Sequence, residues 1–323
     1  MADIHTQKPK RTQILIAFDL KDTLLEKVQQ NPSVEIVAVA DRTRLTEEQL
    51  RQAEVVLCWD FGPEHFTRCP NLRWIHKMST GVDRMLYPEL VASSVVLTNS
   101  SGAHAIPMAE HVIGVMLALV KDLPDSFRKQ QNHTWVKEYT RELYGKTIGI
   151  VGAGHVGVEI ARRAKAMEMT VLGLRRRERA ADCVDEMFPA DRLRDLLQRS
   201  DFVVVALPLT RATRHFFGAA EFSAMRPDAY FINIARGEVV QEDALIKALQ
   251  DGRIAGAALD VAAVEPLPAS SPLWEMPNVI ITPHTSGHSV NVNARAVNLF
   301  CENLLHYQRG EPLINVVDRS AGY

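Results

Sequence analysis

From Gln13 onward the chain alternates short β-branched apolar runs with amphipathic stretches, the pattern of parallel strands covered by helices. In the first hundred residues the runs at 14–18, 35–40, 55–59, 72–78 and 95–98 predict strands, with helices over 20–29 and 47–53 between them. A second series begins at Thr147, with predicted strands at 147–151, 170–174, 202–206, 229–234, 254–259 and 279–282. These runs are apolar on both faces, as strands sandwiched between two helix layers must be. Helices are predicted over 156–167, 191–198 and 242–250, the last stopped by Asp251-Gly252 at the usual C-terminal glycine position. Each series has the makeup of a doubly wound α/β sheet.

Between the two series, 107–120 reads as a helix that is apolar nearly all round and therefore covered on most sides, with Pro107 in its first turn. The stretch 121–144 carries Trp135 and Tyr139 without strand alternation; a dimerisation arm and a solvent-facing excursion with an aromatic anchor both fit it. A last helix is expected over 291–307, followed by a tail, 312–317, that returns to the first domain.

Composition narrows the function. A chain of 323 residues, 46% hydrophobic and 24% charged, can bury well over half of its unfolded surface without disulfides or a structural metal. With 37 Lys and Arg against 39 Asp and Glu, it offers no global field for nucleic acid or an anionic membrane, and neither partner is expected. Its most apolar stretch, 106–120, contains Glu110 and His111 and falls short of the roughly 20 apolar residues a membrane span needs. Residues 1–11 are polar and lack the apolar core of a secretory signal. Cys58, Cys69, Cys183 and Cys301 are scattered without paired spacing, which reads as free thiols in a reducing cytoplasm, with no metal site.

The first chemistry-bearing motif is Gly152-Ala153-Gly154-His155-Val156-Gly157, directly after one predicted strand and at the start of a predicted helix. The spacing alone also fits a tight turn between packed elements. In this context the first glycine permits the turn, the second lets backbone N–H groups approach a pyrophosphate, and the third lets helix and strand pack closely. Sites for NAD normally carry an acid about 20 residues on, to accept hydrogen bonds from the ribose hydroxyls. Here the next strand runs into Arg175-Arg176-Arg177 with no acid. Guanidinium groups suit a 2'-phosphate, so NADP(H) is expected in preference to NAD(H); a solvated basic loop is the plainer reading of the same residues.

The stretch 143–147 leading into GIVGAGHVG, ALPLT (206–210) with Thr213, FINIARGEVV (231–240), ALDVAAVEPLP (258–268) and NVIITPHTSG (278–287) resemble the D-isomer-specific 2-hydroxyacid dehydrogenase family, its glyoxylate and hydroxypyruvate reductases in particular. MSTGVDRM (78–85) resembles that family's substrate loop, so the likeness runs along essentially the whole chain. It implies an α/β fold of two doubly wound parallel-sheet domains. A Rossmann dinucleotide-binding domain, 103–286, would be inserted into a flavodoxin-like substrate domain made of 1–102 and 287–323. The implied activity is hydride transfer from NADPH to a small 2-keto acid, giving the D-2-hydroxy acid, by a cytoplasmic homodimer.

The resemblance assigns catalysis to Arg236, Glu265 and His284. The roles are chemically reasonable: a guanidinium holds the carboxylate and polarises the carbonyl, an imidazole donates the proton, and a carboxylate orients that ring and favours its protonated form. Taken singly, each is more often a strand cap or a loop residue; together they follow three strands of the second series, at the edge where open α/β sheets bind ligands. For the cofactor the resemblance implies Met108, Gly152, Gly154, His155, Val156, Gly157, Leu207, Pro208, Thr213, Ala235, Asp260, His284 and Gly287, with Arg175 and Arg176 toward the phosphate. For the substrate it implies the backbone of Ser79, Thr80 and Gly81, Arg236, His284 and the wall residue Trp59; Lys77, Ser286 and His288 are further candidates, and Asp83 would fix the loop. The alternatives are an NAD-dependent D-lactate or D-3-phosphoglycerate dehydrogenase and a cofactor-sensing co-repressor-like binding protein.

Overall fold

A computed structural model describes residues 11–176, 181 and 183–323. The chain divides into two compact units: residues up to Ala103 together with Val290–Tyr323, and His104–Ser289.

In the first unit the chain runs β1 (Thr12–Ile16), α1 (Asp22–Gln29), β2 (Val34–Ala38), α2 (Glu47–Gln52), β3 (Val55–Cys58), α3 (Pro63–Phe66), β4 (Trp74–Lys77), α4 (Pro88–Val91) and β5 (Val96–Asn99). The strands pair in parallel in the order β2-β1-β3-β4-β5, the flavodoxin-like order. β3 and β4 are buried at every position. Helix α2 starts with a capping box, in which the Thr46 hydroxyl accepts from Gln49 N–H and the Gln49 side chain accepts from Thr46 N–H.

The second unit contains α5 (Ala105–Val120), α6 (Leu123–Gln131), β6 (Thr147–Val151), α7 (His155–Ala166), β7 (Thr170–Leu174), β8 (Glu186–Phe188), α8 (Leu193–Arg199), β9 (Phe202–Val205), α9 (Ala219–Ala224), β10 (Tyr230–Asn233), α10 (Glu242–Gln250), β11 (Gly256–Leu259) and β12 (Val279–Ile281). All its strand pairs are parallel, in the order β12-β11-β10-β9-β6-β7-β8. That is the dinucleotide-binding order, which reverses direction between β6 and β9. Two apolar cores flank the sheet, one of which packs α5 and α7 against Ile148, Ile150 and Val204. Eight of the nine buried residues of helix α5 lie on one face, while Glu110 and Gly114 are exposed and Ile106, His111, Leu117 and Ala118 half-buried on the other, so the helix is covered on one side and not on most sides as its apolar sequence implied.

The chain returns to the first unit as α11 (Val292–Arg309). Ala296, Val297, Phe300 and Leu304 form its buried stripe. Phe300 and Tyr307 stack on Trp74 of β4 with ring centroids 5.2 and 5.5 Å apart. Gly310, at φ +67°, ends the helix in the left-handed conformation that glycine adopts without strain. The tail then covers the edge of β5, with Val317 N–H donating to Leu97 O at 2.9 Å.

Several short elements were not expected from the sequence. β8 is three residues long, and α9 only six. Helix α6 occupies the start of the 121–144 stretch that showed no strand alternation, and past it Trp135 is 93% exposed. Among the described residues no helix is long and apolar enough to cross a membrane.

Candidate active site

Apart from Met108 of α5, the residues singled out in the second unit gather after the carboxyl ends of its strands. Asn233, the last residue of β10, is buried and uses its side chain on the turn that follows. Its Oδ1 accepts from Ala235 N–H at 3.0 Å, and its Nδ2 donates to Arg236 O at 3.3 Å. The Arg236 guanidinium donates to Ala235 O at 2.8 Å. Gly237 then packs directly on the loop after β11: a Cβ built on it would stand 1.9 Å from the Ala262 carbonyl carbon. The turn carrying Arg236 and the loop leading to Glu265 are therefore in backbone contact.

Glu265 is anchored through Oε1, which accepts from Ala262 N–H at 3.2 Å, while Oε2 lies 2.8 Å from His284 Nδ1. The carboxylate can only accept, so Nδ1 carries the proton and Nε2 is left for proton exchange. His284 has φ +54°, an uncommon conformation for a residue with a side chain. Asp260, after β11, holds it there. Its main-chain oxygen accepts from His284 N–H at 2.8 Å, and its buried carboxylate accepts from the Thr282 hydroxyl at 2.6 Å and from Thr285 and Ser286 N–H at 2.9 Å each. Thr282 Oγ1 also lies 3.4 Å from His111 Nε2 of α5; burial lowers the pKa of that ring, and the Asp260 carboxylate opposes the shift.

The glycine turn lies between β6 and α7 as the spacing implies. Gly152, at φ +109°, would bring a Cβ to 2.6 Å from Ala206 O, and Gly157 would bring one to 2.5 Å from Gly152 O. A Cβ on Gly154, by contrast, would point into open space. The first and third glycines are thus required by the protein's own packing, while the second leaves room at the start of α7, where N–H groups and the helix dipole favour a phosphate. The donor set fits a dinucleotide. His155 and Val156 open α7; Leu207 and Pro208 follow β9, with the Thr213 hydroxyl 2.5 Å from Pro208 O; Ala235 follows β10. The Gly287 carbonyl meets His104 Nδ1 at 3.3 Å, and a Cβ on Gly287 would stand 3.7 Å from Met108 Cγ. Arg175 and Arg176 follow β7, half-buried and exposed respectively; Arg177 lies outside the described residues.

In the first unit, Trp59 follows β3 and packs edge-on against Phe18. Ser79, Thr80 and Gly81 follow β4, at the carboxyl edge of that sheet. Lys77 is buried and donates to Trp59 O and to the Asp60 carboxylate.

Asn233 and Thr282 escaped the sequence reading. An asparagine ending an apolar strand was the available signal for the first, since a buried amide needs partners; nothing distinguished a threonine before Pro283.

The family signature described as D-isomer specific 2-hydroxyacid dehydrogenase, NAD binding domain, matches residues 113–286. A glyoxylate reductase of Thermofilum pendens is 34% identical over 273 residues, covering 81% of this chain and 80% of that protein. A D-3-phosphoglycerate dehydrogenase of Methanocaldococcus jannaschii is 31% identical over 303 residues, covering 92% of this chain but 54% of that protein, so the chain spans about half its length. The crystal structure of an NADPH-dependent glyoxylate/hydroxypyruvate reductase from Sinorhizobium meliloti, in complex with NADP and sulfate, is 30% identical, with a TM-score of 0.85 over 97% of this chain and 100% of that one. With its NAD(P)-binding unit, its hydrogen-bonded His–Glu pair and these relatives, the chain belongs to the D-isomer-specific 2-hydroxyacid dehydrogenase family, oxidoreductases that act on 2-hydroxy acids.

Proposed function

We propose that this protein is an NADP(H)-dependent reductase of small 2-keto acids of the glyoxylate or hydroxypyruvate type, giving the D-2-hydroxy acid where a stereocentre forms. The observation that carries the catalytic part is the 2.8 Å contact between His284 Nδ1 and Glu265 Oε2, which fixes the ring and supports Nε2 as the atom that meets the reacting oxygen. The bound nicotinamide supplies the hydride. His284 Nε2 gives its proton to the carbonyl oxygen as the carbon is reduced, and takes it back in the reverse direction. Arg236 presents a planar fork of donors to the substrate carboxylate and carbonyl, holding the first and drawing electron density from the second. The loop Ser79–Gly81 adds backbone N–H groups for a carboxylate, and Trp59 is proposed as a wall of the substrate site.

Arg175 and Arg176, standing where an acid would serve NAD, support the choice of NADP(H), as does the NADP bound by the Sinorhizobium relative. The phosphoglycerate relative favours a second reading, NAD-dependent oxidation of D-3-phosphoglycerate. The four free cysteines suit a reducing cytoplasm, and the exposed Trp135 and Tyr139 suit a homodimer that covers them.

Purified protein is expected to consume NADPH with glyoxylate or hydroxypyruvate, and Arg175→Asp with Arg176→Ser to lose preference for NADPH over NADH. Absence of turnover across a panel of small keto acids defeats the reductase reading. Reduction of NAD with D-3-phosphoglycerate, at a higher kcat/KM than any keto acid gives, supports the second. Unchanged cofactor preference in the double variant defeats the phosphate assignment.

A further inference from the structure

Two carbonyl groups in the loop after β4 are tied down, and each shares a peptide with an N–H group assigned above to the substrate carboxylate. Ser100 N–H donates to Ser79 O at 3.2 Å, and Asn99 Nδ2 donates to Thr80 O at 2.9 Å. Both peptides are trans, and a trans peptide is planar with its C=O and N–H pointing in opposite directions. Drawing Ser79 O toward the end of β5 therefore turns Thr80 N–H away from β5, and drawing Thr80 O the same way turns Gly81 N–H outward beside it. A hydrogen bond accepted at each oxygen also polarises the N–H of the same peptide and strengthens it as a donor.

The Asn99 amide has one orientation. Its Oδ1 accepts from Ser101 N–H at 3.1 Å, which leaves Nδ2 facing Thr80, and the residue is only 6% exposed. It is braced by the C-terminal tail: Asn99 N–H donates to Asn315 O at 3.2 Å, and Asn315 Nδ2 donates to Ser101 O at 2.9 Å. The tail is held in turn by the fully buried Asn303 of α11, whose Nδ2 donates to Ile314 O at 3.0 Å and whose Oδ1 accepts from Ile314 N–H at 2.6 Å. Beneath the loop, Ser100 Oγ donates to Lys77 O at 3.0 Å and so must accept from His76 Nε2, also 3.0 Å away. A chain of asparagines and a buried histidine thus meet at the two residues that grip the loop.

We propose that Asn99 is a positioning residue for the substrate: acting through the Thr80–Gly81 peptide, it aims Gly81 N–H at the carboxylate. This inference rests on the reading of Ser79–Gly81 as a carboxylate-binding loop. Asn99→Asp tests it, because the carboxylate keeps the size of the side chain and the acceptor for Ser101 N–H while setting an oxygen against Thr80 O. The expected result is a rise of about tenfold in the KM for glyoxylate, with kcat and the KM for NADPH within about twofold of the wild type. Asn99→Ala, which removes the bond without adding repulsion, is expected to raise the same KM by about threefold.

A fall in kcat, in NADPH affinity and in melting temperature together, or an unchanged KM for glyoxylate, overturns the inference. Hydrogen–deuterium exchange of the unmodified protein separates this from the underlying reading and needs no variant to fold. Saturating oxamate with NADPH should slow exchange in peptides spanning 79–81, and no slowing overturns both the loop assignment and the inference. Slowing together with an unchanged KM in the Asn99 variants overturns the inference alone.

Discussion

Gly237→Ala puts the smallest possible perturbation between two members of the proposed catalytic trio. The added methyl would lie 1.9 Å from the Ala262 carbonyl carbon, 2.0 Å from its oxygen and 2.3 Å from Ala263 N, all main-chain atoms. Carbon atoms pack at about 3.5–4.0 Å, so the turn and the loop must separate by roughly 1.5 Å or more. No flexible side chain is there to absorb the change. Overpacking of this kind costs about 1–3 kcal/mol, and a buried backbone clash belongs at the upper end. For a unit of this size, that corresponds to a loss of roughly 6–12 °C in melting temperature. The separation would move Arg236 on one side and, through Ala262 N–H, Glu265 on the other. Misplacement by about 1 Å can cost on the order of 100-fold in rate, so kcat/KM for glyoxylate is expected to fall by that order. Differential scanning calorimetry and NADPH oxidation measure the two effects. Gly114→Ala is the control: it lies on the exposed side of α5, where the new methyl would meet nothing within 4 Å beyond its own helix, and should stabilise the protein by about 0.5–1 kcal/mol. A Gly237→Ala protein with wild-type melting temperature and kcat/KM would refute the packing argument.

Other consequences can be checked independently. Burial lowers the His76 pKa from 6.5 to about 3, so below pH 6.5 the unfolded chain takes up a proton that the native protein refuses. Stability should fall as pH drops from 6.5 toward 3, with a slope from this group approaching about 1.4 kcal/mol per pH unit; denaturant titrations should show that contribution vanish in a folded His76→Gln variant. Asp260→Asn replaces one acceptor oxygen with an NH2 group facing N–H donors or the Thr282 hydroxyl, and should cost about 2–4 kcal/mol while lowering kcat through the His284 loop. Equal melting temperatures for Asp260→Asn and wild type would contradict that role. Burial also pushes the Cys58 and Cys69 thiols up to about 12, so neither should react with a thiol reagent before unfolding; fast modification of either in the native protein would be the contrary result.

What the sequence made legible follows from where its information is local. β6, β7 and α10 begin and end at the residues their pattern implies, because strands buried on both faces between turn residues and a glycine-stopped helix leave little freedom. β8 and α9 were not legible, being too short to show a period and held by contacts distant in sequence. At the site, Arg236, Glu265 and His284 could be named from their motifs, and their placement after β10, β11 and β12 follows from strand order. The hydrogen bonds that hold them could not. Asn233, Thr282 and the Asp260 carboxylate act through hydrogen bonds that become visible only when strands are set side by side, and Asn99 meets Thr80 only because β4 and β5 are neighbours.

The proposed role of His284, held by Glu265, is to deliver the proton when a 2-keto acid is reduced by NADPH. It is tested most directly by steady-state NADPH oxidation with glyoxylate, comparing the wild type with His284→Asn and following NADPH binding separately by fluorescence. Turnover by the wild type, a fall in kcat of about 100- to 10,000-fold in the variant, and NADPH binding in both are the expected results. Wild-type protein that binds NADPH but reduces no keto acid, or a variant that turns over at the wild-type rate, would contradict it.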